Sequence, residues 1–259
     1  MNERKENIKN INYVDYNSKS SIINTQFQPI HNNSITRNHI ATAIAILFHV
    51  IGFIGIMFFD KDFFIRATPI NLLLMFLLLL YTQKKLNAWM ILFTVTCIVA
   101  GVGVEIIGTK TGWLFGDYKY GNVLGPTIEN VPYVIGVNWF IVIYCSGVTI
   151  QILLNKILDK LPFDAEHPRP ALKALSIVAD GATLAVLFDW LIEPVAGKLG
   201  YWQWQSILGT PFYNYLCWFM VSSLMLVIFH FAKFEKQNKF AVNLLLIQAM
   251  FFLLLRTFL

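Results

Sequence analysis

The sequence predicts an all-α fold: a polytopic integral membrane bundle of about seven transmembrane helices. Three observations point there. Of 259 residues, 56% are hydrophobic and 14% charged, whereas soluble domains carry roughly 25% charged residues. Mean hydropathy is +0.58. Seven windows are long and apolar enough to lie at or across a bilayer, and none alternates with the period of two that an outer-membrane barrel requires.

Residues 1–36 are polar, rich in Asn, Ser and Lys, and without periodicity. They lack the short apolar core of a signal peptide. A disordered cytoplasmic tail is expected there, followed by one helical membrane domain over 37–259. The apolar windows fall near 40–59, 67–81, 88–107, 133–154, 171–192, 212–232 and 239–258. The second, at 15 residues, is the shortest. Between the fourth and fifth lies KLPFDAEHPRP, where Pro162, Pro168 and Pro170 forbid a continuous helix. This reads as a cytoplasmic linker with Asp164, Glu166 and His167 solvated. Pro194 is expected to end or bend the fifth helix. Cys97, Cys145 and Cys217 all fall within spans and show no C-x-x-C spacing. They read as small apolar core residues rather than zinc ligands or a disulfide framework.

The net charge is +5, but the Lys and Arg residues form no stripe suited to nucleic acid. They report orientation instead. With seven spans, the N-terminal side holds 14 of the 20 basic residues and the opposite side 6. The N-terminus is therefore expected in the cytoplasm and the C-terminus outside, in what reads as a bacterial inner membrane. Losing one helix from the count would break this consistency.

Two stretches carry far more polar and aromatic chemistry than a connection between spans needs. They run from Glu105 to Trp139 and from Asp189 to Trp218. Ionisable groups beside a bilayer are costly and usually mark a site. At about 1.5 Å per residue, Glu105 lies roughly 26 Å along the third helix and Asp189 roughly 27 Å along the fifth. Glu193 follows Asp189 at i,i+4, on the same helix face. Asn138 and Asn214 fall about one turn below the same boundary, on the fourth and sixth helices. Five polar side chains from four helices thus reach one depth, and both stretches are expected to converge on one pocket. Each carboxylate taken alone also fits a solvated helix end.

Asp180 lies near mid-membrane, with Ser176 and Thr183 on its face. A carboxylate there must be neutral, paired or facing a cavity. The plain reading is an interhelical hydrogen bond, with His49 as a candidate partner; a proton relay is the sharper one. Trp113, Tyr118, Tyr120, Tyr201, Trp202 and Trp204 fit an interfacial belt, and their faces also suit a cationic intermediate. Gly112, Gly116, Gly121 and Gly125 permit tight turns, but no strand precedes them and no Lys-Ser/Thr pair follows, so they form no phosphate loop. The chain has no H-E-x-x-H, no G-x-S-x-G and no His-rich box. That argues against metalloprotease, serine hydrolase and membrane desaturase chemistry.

Within the two stretches, one block reads Glu105, Gly108, Thr111, Gly112, Phe115, Gly116, Tyr118, Tyr120, Gly121, Leu124, Gly125, Val131, Pro132 and Trp139. The other reads Asp189, Glu193, Pro194, Val195, Ala196, Leu199, Gly200, Tyr201, Trp202, Trp204, Pro211, Asn214 and Trp218. Together they resemble the carotenoid biosynthesis membrane protein family, which includes carotenoid end-group hydratases. Many relatives carry Asp where this chain has Glu193, which keeps the carboxylate and extends its reach by one methylene.

The resemblance implies water addition across the terminal double bond of an acyclic carotenoid end, on a lycopene-like or monocyclic (γ-carotene-type) substrate held within the bilayer. It implies no redox cofactor and no metal. A carboxylic acid protonates the less substituted carbon, and water captures the tertiary cation. The acid must stay protonated near neutral pH, which apolar surroundings or a neighbouring carboxylate achieve. Asp189, Glu193 and Glu105 are the candidate catalytic groups. Either Asp189 or Glu193 is the acid, and the other, or Glu105, orients water. Asn138 and Asn214 are candidates to hold that water, with the six aromatics as the substrate-binding set. Partners are the carotenoid, membrane lipid and other enzymes of the same pathway, with no nucleic acid. Two other readings stand beside this one: a proton-coupled transporter using His49 and Asp180, and a non-catalytic carotenoid- or lipid-binding protein.

Overall fold

The computed structural model describes residues 33–160, 170–207 and 209–259. The expected tail up to residue 32, and the linker carrying Pro162, Asp164, Glu166, His167 and Pro168, lie outside the described residues. Among the described residues, eight helices run in chain order: α1 (Asn33–Phe58), α2 (Lys61–Arg66), α3 (Thr68–Thr82), α4 (Ala88–Thr111), α5 (Val134–Leu158), α6 (Pro170–Leu199), α7 (Phe212–Phe231) and α8 (Lys239–Phe258). Four short strands join them: β1 (Tyr118–Tyr120), β2 (Thr127–Ile128), β3 (Val131–Pro132) and β4 (Trp202–Trp204).

Six described helices, α1 and α4–α8, are long and apolar enough to cross a membrane. This is a polytopic membrane protein. The seventh expected span is α3, whose 15 residues extend only about 22 Å, less than the roughly 30 Å of a bilayer core. Even so, α3 connects both ends of the bundle. Thr68 at its start bonds the Tyr201 hydroxyl at 2.8 Å. At its far end, Asn238 Nδ2 donates to Thr82 Oγ1 at 3.0 Å.

Polar residues at the helix boundaries explain where the elements begin. The Asp60 carboxylate accepts from Phe63 N–H at 3.0 Å to start α2, and Asn87 accepts from Met90 N–H at 2.9 Å to start α4. Gly112, at φ 63°, ends α4 in the left-handed region. Of the two outcomes expected at Pro194, an end or a bend, the end does not occur: Pro194 lies inside α6. The helix continues five residues past it and stops at Gly200, whose φ is 70°. Tyr201 N–H then donates back to Ala196 O at 2.9 Å, closing the last turn.

The core is built around α5, which packs against α3, α4, α6, α7 and α8. Residues Trp139–Cys145 of this helix are all essentially inaccessible. Glycines let α4 and α5 approach closely. A Cβ on Gly136 would sit 2.5 Å from the Ile98 carbonyl oxygen, and one on Gly101 2.6 Å from Trp139. Cys97, Cys145 and Cys217 are buried among the apolar core residues, as expected. Outward faces are apolar too: Leu92, Val99, Met220 and Leu224 are more than half exposed, which suits lipid contact.

The small strands add a feature that the all-α reading did not contain. β1 pairs antiparallel with β4, in the register Tyr118↔Trp204 and Tyr120↔Trp202, and β2 pairs with β3. The β1–β4 ladder binds the α4–α5 loop to the α6–α7 loop. Gly121 N–H donates to Tyr201 O at 2.9 Å, and Gln205 N–H to Asp117 O at 2.9 Å. Any side chain at Gly121 would put its Cβ 2.1 Å from the Gly200 carbonyl oxygen, so only glycine fits this crossing.

Candidate active site

α4 and α6 end, and α5 and α7 begin, beneath the β1–β4 ladder. Glu105 sits seven residues before the Gly112 stop of α4. Asp189 and Glu193 lie one turn apart on α6, and Asn214 is in the first turn of α7. All four are buried, with exposures of 5%, 3%, 7% and 2%. The two polar stretches therefore meet at one end of the bundle.

Every carboxylate here has donors. Glu105 Oε2 accepts from the Tyr118 hydroxyl in a short hydrogen bond, and from the Tyr120 hydroxyl at 2.8 Å. Its Oε1 accepts from Trp139 Nε1–H at 2.9 Å. Glu193 Oε2 accepts from Trp204 Nε1–H at 2.7 Å, from the Thr210 hydroxyl at 2.8 Å and, more weakly, from Trp202 Nε1–H at 3.3 Å. Asn214 Nδ2–H donates to Asp189 Oδ2 at 2.8 Å. The ladder explains the distribution. β1 delivers the tyrosines to Glu105 and β4 delivers the tryptophans to Glu193, so pairing the strands sets both carboxylates. Burial, and next the charge of Glu105, hold the Tyr118 and Tyr120 phenols above their usual range. Both therefore keep the protons they donate at neutral pH.

Aromatic side chains roof and wall this centre. Trp139 and Trp218 stack with centroids 4.0 Å apart and planes 10° apart. Tyr118 lies 5.1 Å from Trp204, and Phe115 lies 6.2 Å from Trp139. Between Glu105, Glu193, Tyr118, Trp202, Trp204 and Trp218 is a space of about 20 Å³. That volume holds about one water molecule. Asp189 does not line it, but its donor Asn214 does.

On the other side of Trp202 lies a second cavity of about 260 Å³. Its lining is mostly apolar and includes Ile135, Ile192 and Phe252, together with Tyr201 and Asn138. Trp202 lines both spaces. Tyr201, with its phenol pushed up to about 12 by burial, faces this cavity and bonds Thr68.

The structure separates the sequence-predicted residues into groups. Glu105, Asp189, Glu193, Asn214, Tyr118, Tyr120, Trp202 and Trp204 come together. Asn138 and Tyr201 belong to the neighbouring cavity. Trp113 is 70% exposed and takes no part; its carbonyl accepts from the Tyr213 hydroxyl at 3.0 Å. Asp180 is not paired with His49. It is exposed on α6 and accepts from Ser176 on its own helix, while His49 Nδ1 donates to Ala45 O at 2.7 Å. No direct hydrogen bond joins this carboxylate to the imidazole. Sequence reasoning missed Trp139, Thr210, Phe115 and Trp218 as parts of the site. Trp139 and Trp218 stand within the polar stretches, and an indole N–H at a buried boundary needs an acceptor, which was the available signal. Among the described residues, no group of three His, Cys, Asp or Glu side chains is placed to hold a metal ion.

Comparison with known proteins follows the same residues. Positions 66–259, which contain the whole carboxylate centre, match the family described as carotenoid biosynthesis protein. Bisanhydrobacterioruberin hydratase of Haloarcula japonica is 27% identical over 132 residues. That alignment covers 50% of this chain and 41% of the relative, so the chain spans less than half of that protein's length. No solved structure matches the chain.

Proposed function

Since the chain belongs to the carotenoid biosynthesis protein family, we propose that it hydrates the terminal carbon–carbon double bond of an acyclic carotenoid end group, giving a tertiary alcohol. One observation carries this reading: the two spaces that meet at Trp202. Hydration needs one water and one hydrocarbon end. A water-sized space lies among carboxylates on one side of Trp202, and a larger apolar cavity lies on the other. Similarity to a protein named as a carotenoid hydratase supports the same chemistry.

Glu193 is the proton donor in this proposal. Its O–H bond breaks, and the π pair of the alkene forms a C–H bond at the less substituted carbon. The tertiary carbon is left cationic. Faces of Trp202, Trp204 and Trp218 stabilise that cation, and the fixed donors around the site add no reorganisation cost. A water lone pair then forms the C–O bond, and Glu105 takes the released proton. Proton return to Glu193 through solvent completes the cycle. Atoms and charge balance with no redox cofactor. Asp189 acts through Asn214, whose amide it holds against the water-sized space; it is a positioning residue. The test is turnover of an acyclic carotene by the membrane-embedded protein in H2(18)O. The expected product carries one heavy oxygen per hydrated end. Oxygen drawn from O2, or no product, would overturn the reading.

With α3 counted as a seventh crossing, the excess of basic residues on the N-terminal side supports a carboxylate end that faces outward and an N-terminus in the cytoplasm. Glu129 is exposed in the α4–α5 loop, and the three native cysteines are buried. A Glu129→Cys variant should therefore react with an impermeant maleimide in intact cells. Labelling only after permeabilisation would reverse the orientation.

A further inference from the structure

The 260 Å³ cavity does not stop at the protein's interior. A groove of about 300 Å³ runs between α1 and α8, walled by Ile46, Val50 and Phe53 on one side and by Leu246, Met250 and Leu254 on the other. Groove and cavity share two residues, His49 and Phe251. Their rings meet edge-on at 5.3 Å and form the partition between the two spaces. The groove is apolar, and it opens on a flank where Leu246, Leu253 and Leu254 are exposed. Such a flank faces hydrocarbon in a bilayer, and hydrocarbon is where a carotenoid dissolves.

The cavity is not a packing fault. Gln248 is 4% exposed, and its Oε1 has no hydrogen-bond partner; nor does Asn71 Oδ1. Both side chains line the cavity, from α8 and α3. Buried amide oxygens are nearly always satisfied, so these two call for an O–H donor inside the space. Water, or the hydroxyl of an alcohol product leaving by the same route, supplies one. His49 Nδ1 donates to a carbonyl that can only accept, which leaves Nε2 as the ring atom free to meet such a group.

The geometry points to a bilayer-facing port. One end of the polyene enters laterally between α1 and α8, passes His49 and Phe251, fills the cavity and meets the carboxylates at Trp202. What happens beyond Trp202 rests on the hydratase reading; entry through the port does not. Cavities that enclose a drug-sized ligand measure about 300–1,000 Å³, so this one takes an end group and its neighbouring isoprene units, not a whole carotenoid. The far end stays in lipid and is not read. Much of the port wall, including His49, Gly52 and Phe64, precedes the family-matched segment 66–259. Substrate access is thus built partly from a different stretch of chain than the chemistry.

Gly52 provides the test. It lines the cavity, and a Cβ there meets only Phe251 at 3.7 Å, an ordinary contact. Gly52→Leu fills the port without forcing backbone. Full-length protein is purified in detergent after loading with an acyclic carotene, and bound pigment and hydrated product are both measured. Gly52→Leu should lower both at least tenfold, while Glu193→Gln keeps the pigment and loses the product. Phe251→Ala, which widens the partition, should raise the initial uptake rate several-fold, so the port remains testable if Gly52→Leu misfolds. Acyclic and monocyclic substrates with the same reacting end should turn over within about threefold of each other. Normal binding in Gly52→Leu, slower uptake in Phe251→Ala, or strong dependence on the distant end overturns the port and leaves the hydratase reading intact. Pigment binding without turnover in the wild type sinks the hydratase reading, and the Gly52 arm still decides the port. No pigment binding in the wild type overturns the port outright.

Discussion

Glu193→Gln should reduce hydration by about 10³-fold or more while leaving the protein folded in the membrane. General acid catalysis contributes typically 10²–10⁴ in rate, and the proposed role makes Glu193 the group that delivers the proton to the alkene. Gln keeps the size and polarity of the side chain. Its amide oxygen can still accept from Trp204, Thr210 and Trp202, which now reach Glu193 Oε2. The loss should therefore fall on turnover, with bound pigment unchanged. Glu193→Asp supplies the contrast: it keeps a carboxylic acid one methylene shorter, and that acid should restore measurable activity. A Glu193→Gln protein with more than a tenth of wild-type turnover would remove Glu193 from the chemistry.

Glu105→Gln should be damaging in a different way. Three donors converge on this carboxylate, from Tyr118, Tyr120 and Trp139. An amide offers one oxygen and turns an N–H2 group toward donors that need an acceptor. Hydrogen bonds to a charged group contribute about 1.5–3 kcal/mol each, and leaving a buried donor unpaired costs about 1–3 kcal/mol. A stability loss of about 2 kcal/mol is expected, together with at least a hundredfold loss of turnover as the water-activating base disappears. Thermal unfolding in detergent and product assay together check this. Wild-type stability in the variant would mean that the three donors find other partners. A stability loss with normal turnover would make Glu105 a structural anchor for the β1–β4 ladder.

Depth along a helix was legible in the sequence, and direction around it was not. Rise per residue is enough to put Glu105, Asp189, Glu193 and Asn214 at one level, and the structure brings those four together. The same arithmetic puts Asn138 at that level, yet it faces the adjoining cavity, because depth says nothing about which neighbour a face meets. Asp180 failed for the same reason: its depth was read as burial, but it lies on an exposed face and bonds one turn back to Ser176. The weak hydropathy contrast around each span explains the gap, since outward and inward faces of these helices are both apolar. β1 and β4 were invisible for another reason. Three residues, Tyr118–Tyr120 and Trp202–Trp204, are too few for a period-two signal, and their partners lie more than eighty residues apart in the chain. The ladder is nonetheless what carries four of the predicted aromatics to the two glutamates. At Pro194 the sequence left an end or a bend open, and the helix runs on to a glycine stop at Gly200.

The central claim is that buried carboxylates at one end of this bundle add water to a carotenoid end. Pigment mass spectrometry tests it most directly, in a host that accumulates an acyclic or monocyclic carotene and expresses either the wild-type chain or Glu193→Gln at equal membrane levels. The account predicts a product heavier by one water per reacted end with the wild type and none with the variant. Unchanged pigment with the wild type on both substrates, or the same product from the variant, would contradict it.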